Sequence, residues 1–72
     1  MEFDFSKLLG RIVEKFGTRS AFAAAMDLAD SALSNRLNNK VPFDTDEIYK
    51  ACELLDIDPQ EIPAYFFTLK VR

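Results

Sequence analysis

The sequence predicts an all-α fold, a single compact domain of four to five helices. Apolar residues recur at helical spacing through most of the chain, and the stretch from Thr18 to Asn39 has the pattern of two short helices joined by a tight turn. The chain has 72 residues, 49% of them apolar, and only two Gly, which suits one small core and argues against disorder. We therefore expect one domain over residues 1–72, with a helix-turn-helix core at 18–39 and a short extended or strand-like tail at 64–72.

The first two helices are predicted from their capping residues. Asp4 is a suitable N-cap for a first helix that runs to about Phe16, and Gly17 is the expected stop. Thr18 is the predicted cap of the second helix. Asp27 occupies the turn that follows, where its short polar side chain tolerates a left-handed backbone.

The third helix is the candidate reader of DNA. It is predicted from about Ala29 or Asp30 to Asn38, with Leu33 and Leu37 facing inward. The side chains that this arrangement turns outward, or to the flanks, are Ser31, Ala32, Ser34, Asn35, Arg36 and Asn38. Amides pair with adenine, hydroxyls with several bases, guanidinium groups with guanine, and methyl groups touch thymine. The third helix therefore has the shape and part of the chemistry of a recognition helix.

Charge supports a role for this segment in contacting phosphates. The whole chain carries −3, yet residues 5–40 hold six basic and three acidic side chains. Arg19 lies in the first turn of the second helix, and Asn39 and Lys40 end the third helix, so all three are candidate phosphate contacts. Three further basic residues, Lys7, Arg11 and Lys15, repeat at four-residue spacing on the first helix. We expect a solvated face there, with contact to phosphates as the alternative.

The second half of the chain is predicted to contain a fourth helix and a short helical turn. Asp44, with Glu47 three residues later, forms a capping-box pattern at the start of the fourth helix. Asp58 and Pro59 repeat an N-terminal signature, and we expect Pro63 to stop the short turn that they begin.

The tail changes character, because apolar and polar residues alternate from residue 67 onward with the period of a half-buried strand. A single strand in a helical domain would pair with a second copy, join another protein or lie across the core. The candidate interface residues in the tail are Tyr65, Phe67, Leu69 and Val71.

Several classes of function are disfavoured by composition. The chain has no His and one Cys, so an internal disulfide is excluded and a Cys/His metal site nearly so. It has no Gly-rich phosphate loop and no nucleophile with a recognisable base. We expect no catalysis, cofactor, metal or small-molecule substrate. The longest apolar run, residues 21–26, is too short to span a membrane, and we expect a cytoplasmic protein.

The chain also resembles a known group of proteins. The segment TRSAFA, the LNNK that ends the third helix, the opening FDFSKLLGRIVEKFGT and the ending EIPAYFFTLKV carry the likeness, which covers essentially all 72 residues. It resembles the small lambda-repressor-like, Cro-type (XRE-like) helix-turn-helix regulators of temperate phages and prophages of Gram-positive bacteria. That group includes Cro-like proteins and modulators of repression. The resemblance implies DNA-facing roles for Arg19, Ser31, Ser34, Asn35 and Lys40.

The sequence departs from the pattern of this group at three positions. Arg19 stands where Gln is common, Asp27 where Gly is usual, and Ala29 where a Ser or Thr cap is expected.

Two functions remain open. The first is a regulator of the lysogenic/lytic switch that binds double-stranded operator DNA, with a homodimer as its expected form. The alternative is an antirepressor that binds a phage lysogeny repressor, with Asp27 and Asp30 facing the basic surface of that partner.

Overall fold

The computed structural model describes residues 2–71 and has the predicted all-α architecture. Met1 and Arg72, the ends of the predicted domain and tail, lie outside the described residues. Five α-helices follow one another along the chain: α1 Ser6–Phe16, α2 Arg19–Ala25, α3 Asp30–Leu37, α4 Thr45–Leu55 and α5 Ile62–Phe66. A short 3-10 turn, Pro59–Glu61, precedes α5.

Helix α1 begins later than the sequence predicts. Phe5, not Asp4, is its N-cap residue, and it makes no side-chain capping bond. The Asp4 carboxylate instead accepts hydrogen bonds from the backbone N–H and the hydroxyl of Ser6. These bonds hold the pKa of Asp4 below its ordinary value. Gly17 ends the helix as predicted, with φ 83° and its N–H bonded to the carbonyl of Val13.

The core lies between the five helices, each of which contributes buried side chains. Its largest fully buried side chains are Leu8, Ile12, Phe22, Leu33, Leu55 and Phe66. Aromatic rings connect the two halves of the chain: Phe43 makes edge-on contacts with Phe5 and with Phe66, with ring centroids 5.5 and 5.3 Å apart. Edge-on packing of this kind is favourable because it places the positive edge of one ring against the negative face of the other. The core therefore fixes α5 against the start of α1 and the α3–α4 connection.

The segment around Pro63 differs from the prediction. Pro63 does not stop a helical turn but lies in the first turn of α5. Proline is tolerated there because the N–H it lacks has no partner within the helix. Residues 64–66, predicted to belong to an extended tail, are therefore helical, and the tail begins after Phe66.

The remaining tail does have a partner within the chain. Leu69 forms an antiparallel bridge with Phe3. The N–H of Asp4 donates to the carbonyl of Thr68 at 2.7 Å, and the N–H of Lys70 donates to the carbonyl of Glu2 at 3.1 Å. Residues 2–4 and 68–70 thus form a short two-stranded ribbon, which we call the terminal ribbon.

Candidate functional site

The helices α2 and α3 follow one another through a short turn, residues 26–29. The hydroxyl of Thr18 accepts the N–H of Ala21 at 3.1 Å and caps α2, as predicted. Asp27 adopts the left-handed conformation expected of it, with φ 63°. The N–H of Leu28 then donates to the carbonyl of Ala23, which closes the turn. Leu33 and Leu37 are buried, so α3 presents its opposite face outward.

A cleft of about 220 Å³ lies between α2 and α3. It is lined by Arg19, Ser20, Asp30, Leu33 and Ser34, and so contains both a cation and an anion. The Asp30 carboxylate accepts the hydroxyl of Ser20 at 2.7 Å. Asp30 also lies in the first turn of α3, where a negative charge suits the helix dipole. The exposed carboxylate of Asp27 lies in the preceding turn, so this end of α3 is acidic.

Arg36, the strongest candidate donor to a base, is partly buried and bonded to other groups of the protein. Its Nε donates to Oε1 of Glu47 on α4 at 2.9 Å, and its Nη1 donates to the carbonyl of Ala32 at 2.9 Å. The Arg36 and Glu47 side chains are only 17% and 15% exposed. The Arg36 hydrogen bond holds the pKa of Glu47 below its ordinary value, and the same bond raises the pKa of Arg36. The guanidinium is therefore engaged in joining two helices.

Asn39 is likewise engaged in structure. Its left-handed conformation, φ 63°, matches the predicted helix cap. Its side-chain amide, however, brackets the backbone of Phe3: Oδ1 accepts the Phe3 N–H at 2.9 Å, and Nδ2 donates to the Phe3 carbonyl at 3.0 Å. In this conformation Oδ1 and one N–H of Nδ2 are engaged by the backbone of Phe3.

The other candidate residues of α3 and its ends are less constrained. The amide of Asn38 donates to the hydroxyl of Ser34 at 3.2 Å, and Ala32 is half-buried. Four of the polar candidate DNA contacts have side chains without a hydrogen bond or ion pair to any part of residues 2–71: Arg19 on α2, and Ser31, Asn35 and Lys40 on α3 or after it. Of these, Asn35 is half-buried and the others are exposed.

The three basic residues of α1 do not form a free cationic row. The Arg11 guanidinium donates to the carbonyls of Leu55 and Asp56, which are the end of α4, at 2.8 and 3.1 Å. Lys15 forms an ion pair of 2.8 Å with Asp56, which lowers the pKa of that carboxyl group. Lys7 lies over the ring of Tyr65, 4.7 Å from its centroid. Basic side chains often bond to the carbonyls at the C-terminal end of a helix. The sequence does not show that these basic residues of α1 contact the end of another helix, α4.

The candidate interface residues of the tail separate into two groups. Tyr65 is only 9% exposed and belongs to the core, so its burial is explained without an interface. Phe67, Leu69 and Val71 are 48%, 53% and 97% exposed. Leu69 lies in the terminal ribbon, and Phe67 and Val71 flank it in the sequence.

Residues 2–71 contain neither a cluster of metal-ligating side chains nor a helix suited to a bilayer. Between residues 2 and 71 no three Cys, Asp or Glu side chains are grouped so that they could hold a metal ion. No helix in that range has the length and apolar character needed to cross a bilayer.

Comparison with known proteins gives the family. The model of the family described as "Protein of unknown function (DUF739)" matches residues 1–69. A search of curated protein sequences gives no match. Among solved structures, the chain is similar to the solution structure of the modulator of repression (MOR) of the temperate bacteriophage TP901-1 from Lactococcus lactis. The two sequences are 50% identical, the alignment covers 100% of this chain and 97% of the other, and the TM-score is 0.84. The chain belongs to the DUF739 family.

Proposed function

We propose that this protein is an antirepressor, a modulator of repression that binds a phage lysogeny repressor and inactivates it by protein–protein contact. The observation that carries the proposal is the 50% identity, over the whole chain, to a protein described as the modulator of repression of a temperate phage. The Cro-type resemblance of the sequence fits the same setting, a small regulator of a phage switch.

The engaged side chains of the helix-turn-helix core favour a protein partner over DNA. A recognition helix reads bases with donors that are free to enter the major groove. Arg36 is tied to Glu47, and Asn39 is tied to Phe3. The basic residues of α1 are tied to α4 and α5. The surface thus offers few of the cations that DNA binding requires.

The acidic end of α3 gives the proposed partner surface its chemistry. Asp27 and Asp30 are both exposed beside α3. Two carboxylates there repel a phosphate backbone but attract a basic surface, and a repressor must carry a basic surface to bind its operator. We infer that these acids face the DNA-reading surface of the repressor, so that repressor binding to this protein and to DNA compete.

The test is a titration of the repressor encoded beside this protein, by calorimetry, against wild type and the double variant Asp27→Asn/Asp30→Asn. Asparagine tolerates the left-handed backbone conformation at position 27, and at position 30 its amide oxygen can still accept a hydrogen bond from Ser20. We expect affinity to fall by roughly tenfold or more, and the salt dependence of binding to weaken. Glu53→Gln removes an exposed acid from α4 and is the matched control, for which we expect wild-type affinity.

Operator binding is the second candidate, and one observation favours it. Within residues 2–71, four side chains on or beside α3 have no hydrogen-bond or ion-pair partner: those of Arg19, Ser31, Asn35 and Lys40. A mobility-shift titration on the switch region, with and without the repressor, separates the two functions. A salt-dependent shift by this protein alone, lost in Asn35→Ala, supports operator binding. Failure to bind the repressor under any condition rules out the antirepressor.

A further inference from the structure

The terminal ribbon has one open edge. Because the bonds on either side of the Phe3–Leu69 bridge run from Asp4 N–H to Thr68 and from Lys70 N–H to Glu2, Phe3 and Leu69 are a non-hydrogen-bonded pair. In such a pair the N–H and C=O of each residue point away from the other strand. The N–H and C=O of Leu69 therefore face outward, and neither has a backbone partner within residues 2–71.

The opposite edge of the ribbon is closed. The outward N–H and C=O of Phe3 are the two groups that the Asn39 amide bonds, at 2.9 and 3.0 Å. The amide occupies the place that a third strand would take. Any strand that joins the ribbon must therefore add beside Leu69.

We propose that the occupant of this edge is a second copy of the chain, which pairs antiparallel through residues 68–70 about a two-fold axis at Leu69. The two Leu69 residues would exchange their free N–H and C=O groups, and the two ribbons would become one four-stranded sheet. This proposal concerns the chain alone and does not depend on what the protein regulates.

The register follows from two observations. An axis at Lys70 would place the two Lys70 side chains directly opposite each other, which destabilises a strand pair. An axis at Thr68 would need the N–H of Phe67, which already donates to the carbonyl of Pro63 in α5. The axis at Leu69 avoids both problems, because it sets each Lys70 opposite a Thr68.

Pairing of two copies also limits the assembly to a dimer, so that further chains do not add to the sheet. Each copy has one open edge, and a two-fold axis uses both open edges at once. The Asn39 amides then close the two outer edges of the assembly. The pairing would bring the two Leu69 side chains together between the two Phe3 rings, and would cover a residue that is 53% exposed in the single chain.

The first experiment is sedimentation of the pure chain from about 10 μM to about 1 mM, the range expected for a contact of a few hydrogen bonds and apolar side chains. We expect the weight-average mass to rise with concentration from 8.2 kDa towards twice that value. Leu69→Pro removes the outward N–H but leaves the ribbon donors Asp4 and Lys70 in place, and should remain monomeric. Circular dichroism checks that this variant is helical.

A charge pair at Thr68 tests the register without touching the core. Thr68→Glu and Thr68→Lys both lose the hydroxyl bond to the Ala64 carbonyl and add charges of opposite sign at the same position, which lies opposite Asp4 within the ribbon. With Lys70 opposite, we expect the glutamate variant to dimerise about tenfold more tightly than the lysine variant, and salt to narrow the difference. A constant mass of 8.2 kDa at all concentrations, or equal dimerisation of the two Thr68 variants, would overturn the proposal.

Discussion

The Arg36–Glu47 pair joins α3 to α4 at a point largely sheltered from water. One carboxylate oxygen of Glu47 accepts both the Arg36 Nε–H and the Asp44 N–H, so a single group serves the helix-to-helix contact and the capping box of α4. The loss of either partner leaves the other charge partly buried without its hydrogen bonds.

We expect Arg36→Gln to lower the free energy of unfolding by about 1–3 kcal/mol for this reason. Urea unfolding followed by circular dichroism measures the change. Arg19→Gln removes the same charge from an exposed position and should shift the midpoint little. A loss no greater than that of the control would mean that the ion pair adds no stability.

The same pair predicts a dependence of stability on pH. Since the pKa of Glu47 in the folded protein lies below its ordinary value near 4.5, the carboxylate stabilises the fold above that pH and ceases to do so as pH falls through the folded pKa. We expect wild type to lose stability below about pH 4.5, and Glu47→Gln to lose less over that interval. Parallel unfolding curves for the two proteins from pH 6 to about pH 3 would contradict this.

Backbone conformations were easier to predict at this scale than side-chain partners. The left-handed conformations of Asp27 and Asn39 follow from the residue types and their place after a helix. The partner of the Asn39 amide is Phe3, and no local pattern relates residues so distant in sequence. For the same reason the sequence presented Arg36 as a donor to DNA and did not reveal its bond to Glu47.

At the scale of elements, α3 and α4 differ in how they begin. Asp44 and Glu47 form the complete predicted capping box of α4. Ala29, at the N-cap of α3, has the extended conformation that a capping residue needs, with φ −65° and ψ 153°, but no side chain able to accept a hydrogen bond. The start of α3 therefore lacks a stabilising contact that its backbone geometry would allow.

We expect Ala29→Ser to raise the free energy of unfolding by about 1 kcal/mol, because the hydroxyl can accept the N–H of a first-turn residue. Ala24→Ser, at an exposed position in the last turn of α2, should lower it by a few tenths of a kcal/mol. Urea unfolding of the two variants beside wild type compares them directly. Equal effects at the two sites would show that capping is not the cause.

Helix bounds were predicted well where capping and stop signals are strong. Thr18, Gly17 and Asp44 have the roles that their residue types indicate. The prediction was wrong for the helix α5, because Pro63 was read as a stop signal when it lies in a first turn. A proline in a sequence can mark either the end of a helix or its first turn. Only the place where the preceding helical turn ends decides between the two.

At the scale of the whole molecule, the core is small, and its aromatic rings hold the two halves of the chain together. Phe66 is 2% exposed and contacts Phe43, whereas the adjacent Phe67 is 48% exposed. These neighbours have the same side chain in different surroundings. They therefore provide a matched pair for measuring what burial contributes.

We expect Phe66→Ala to cost about 3–5 kcal/mol, which is comparable to the whole stability of a domain of this size. The variant should be largely unfolded at 25 °C by circular dichroism. Phe67→Ala should remain folded, with a loss of about 1 kcal/mol. A cooperative unfolding transition of Phe66→Ala near that of wild type would contradict the assigned core.

The all-α architecture could be predicted from the sequence because helical periodicity and capping residues are local signals. The pairing of residues 2–4 with the tail could not, because a bridge between the two ends of a chain has no local signature. The alternation of apolar residues did show that the tail is extended. Its partner within the chain, Phe3, became evident only from the fold.

The terminal ribbon also places residues near the start of the chain beside residues near its end. Where Phe3 faces Leu69, the Cα atoms of such a pair lie about 4.5 Å apart, so the chain enters and leaves the fold at almost the same point. The whole unit could be spliced into a surface loop of another protein without stretching that loop. A peptide link between its two ends would remove conformational freedom from the unfolded chain while leaving every helix in place.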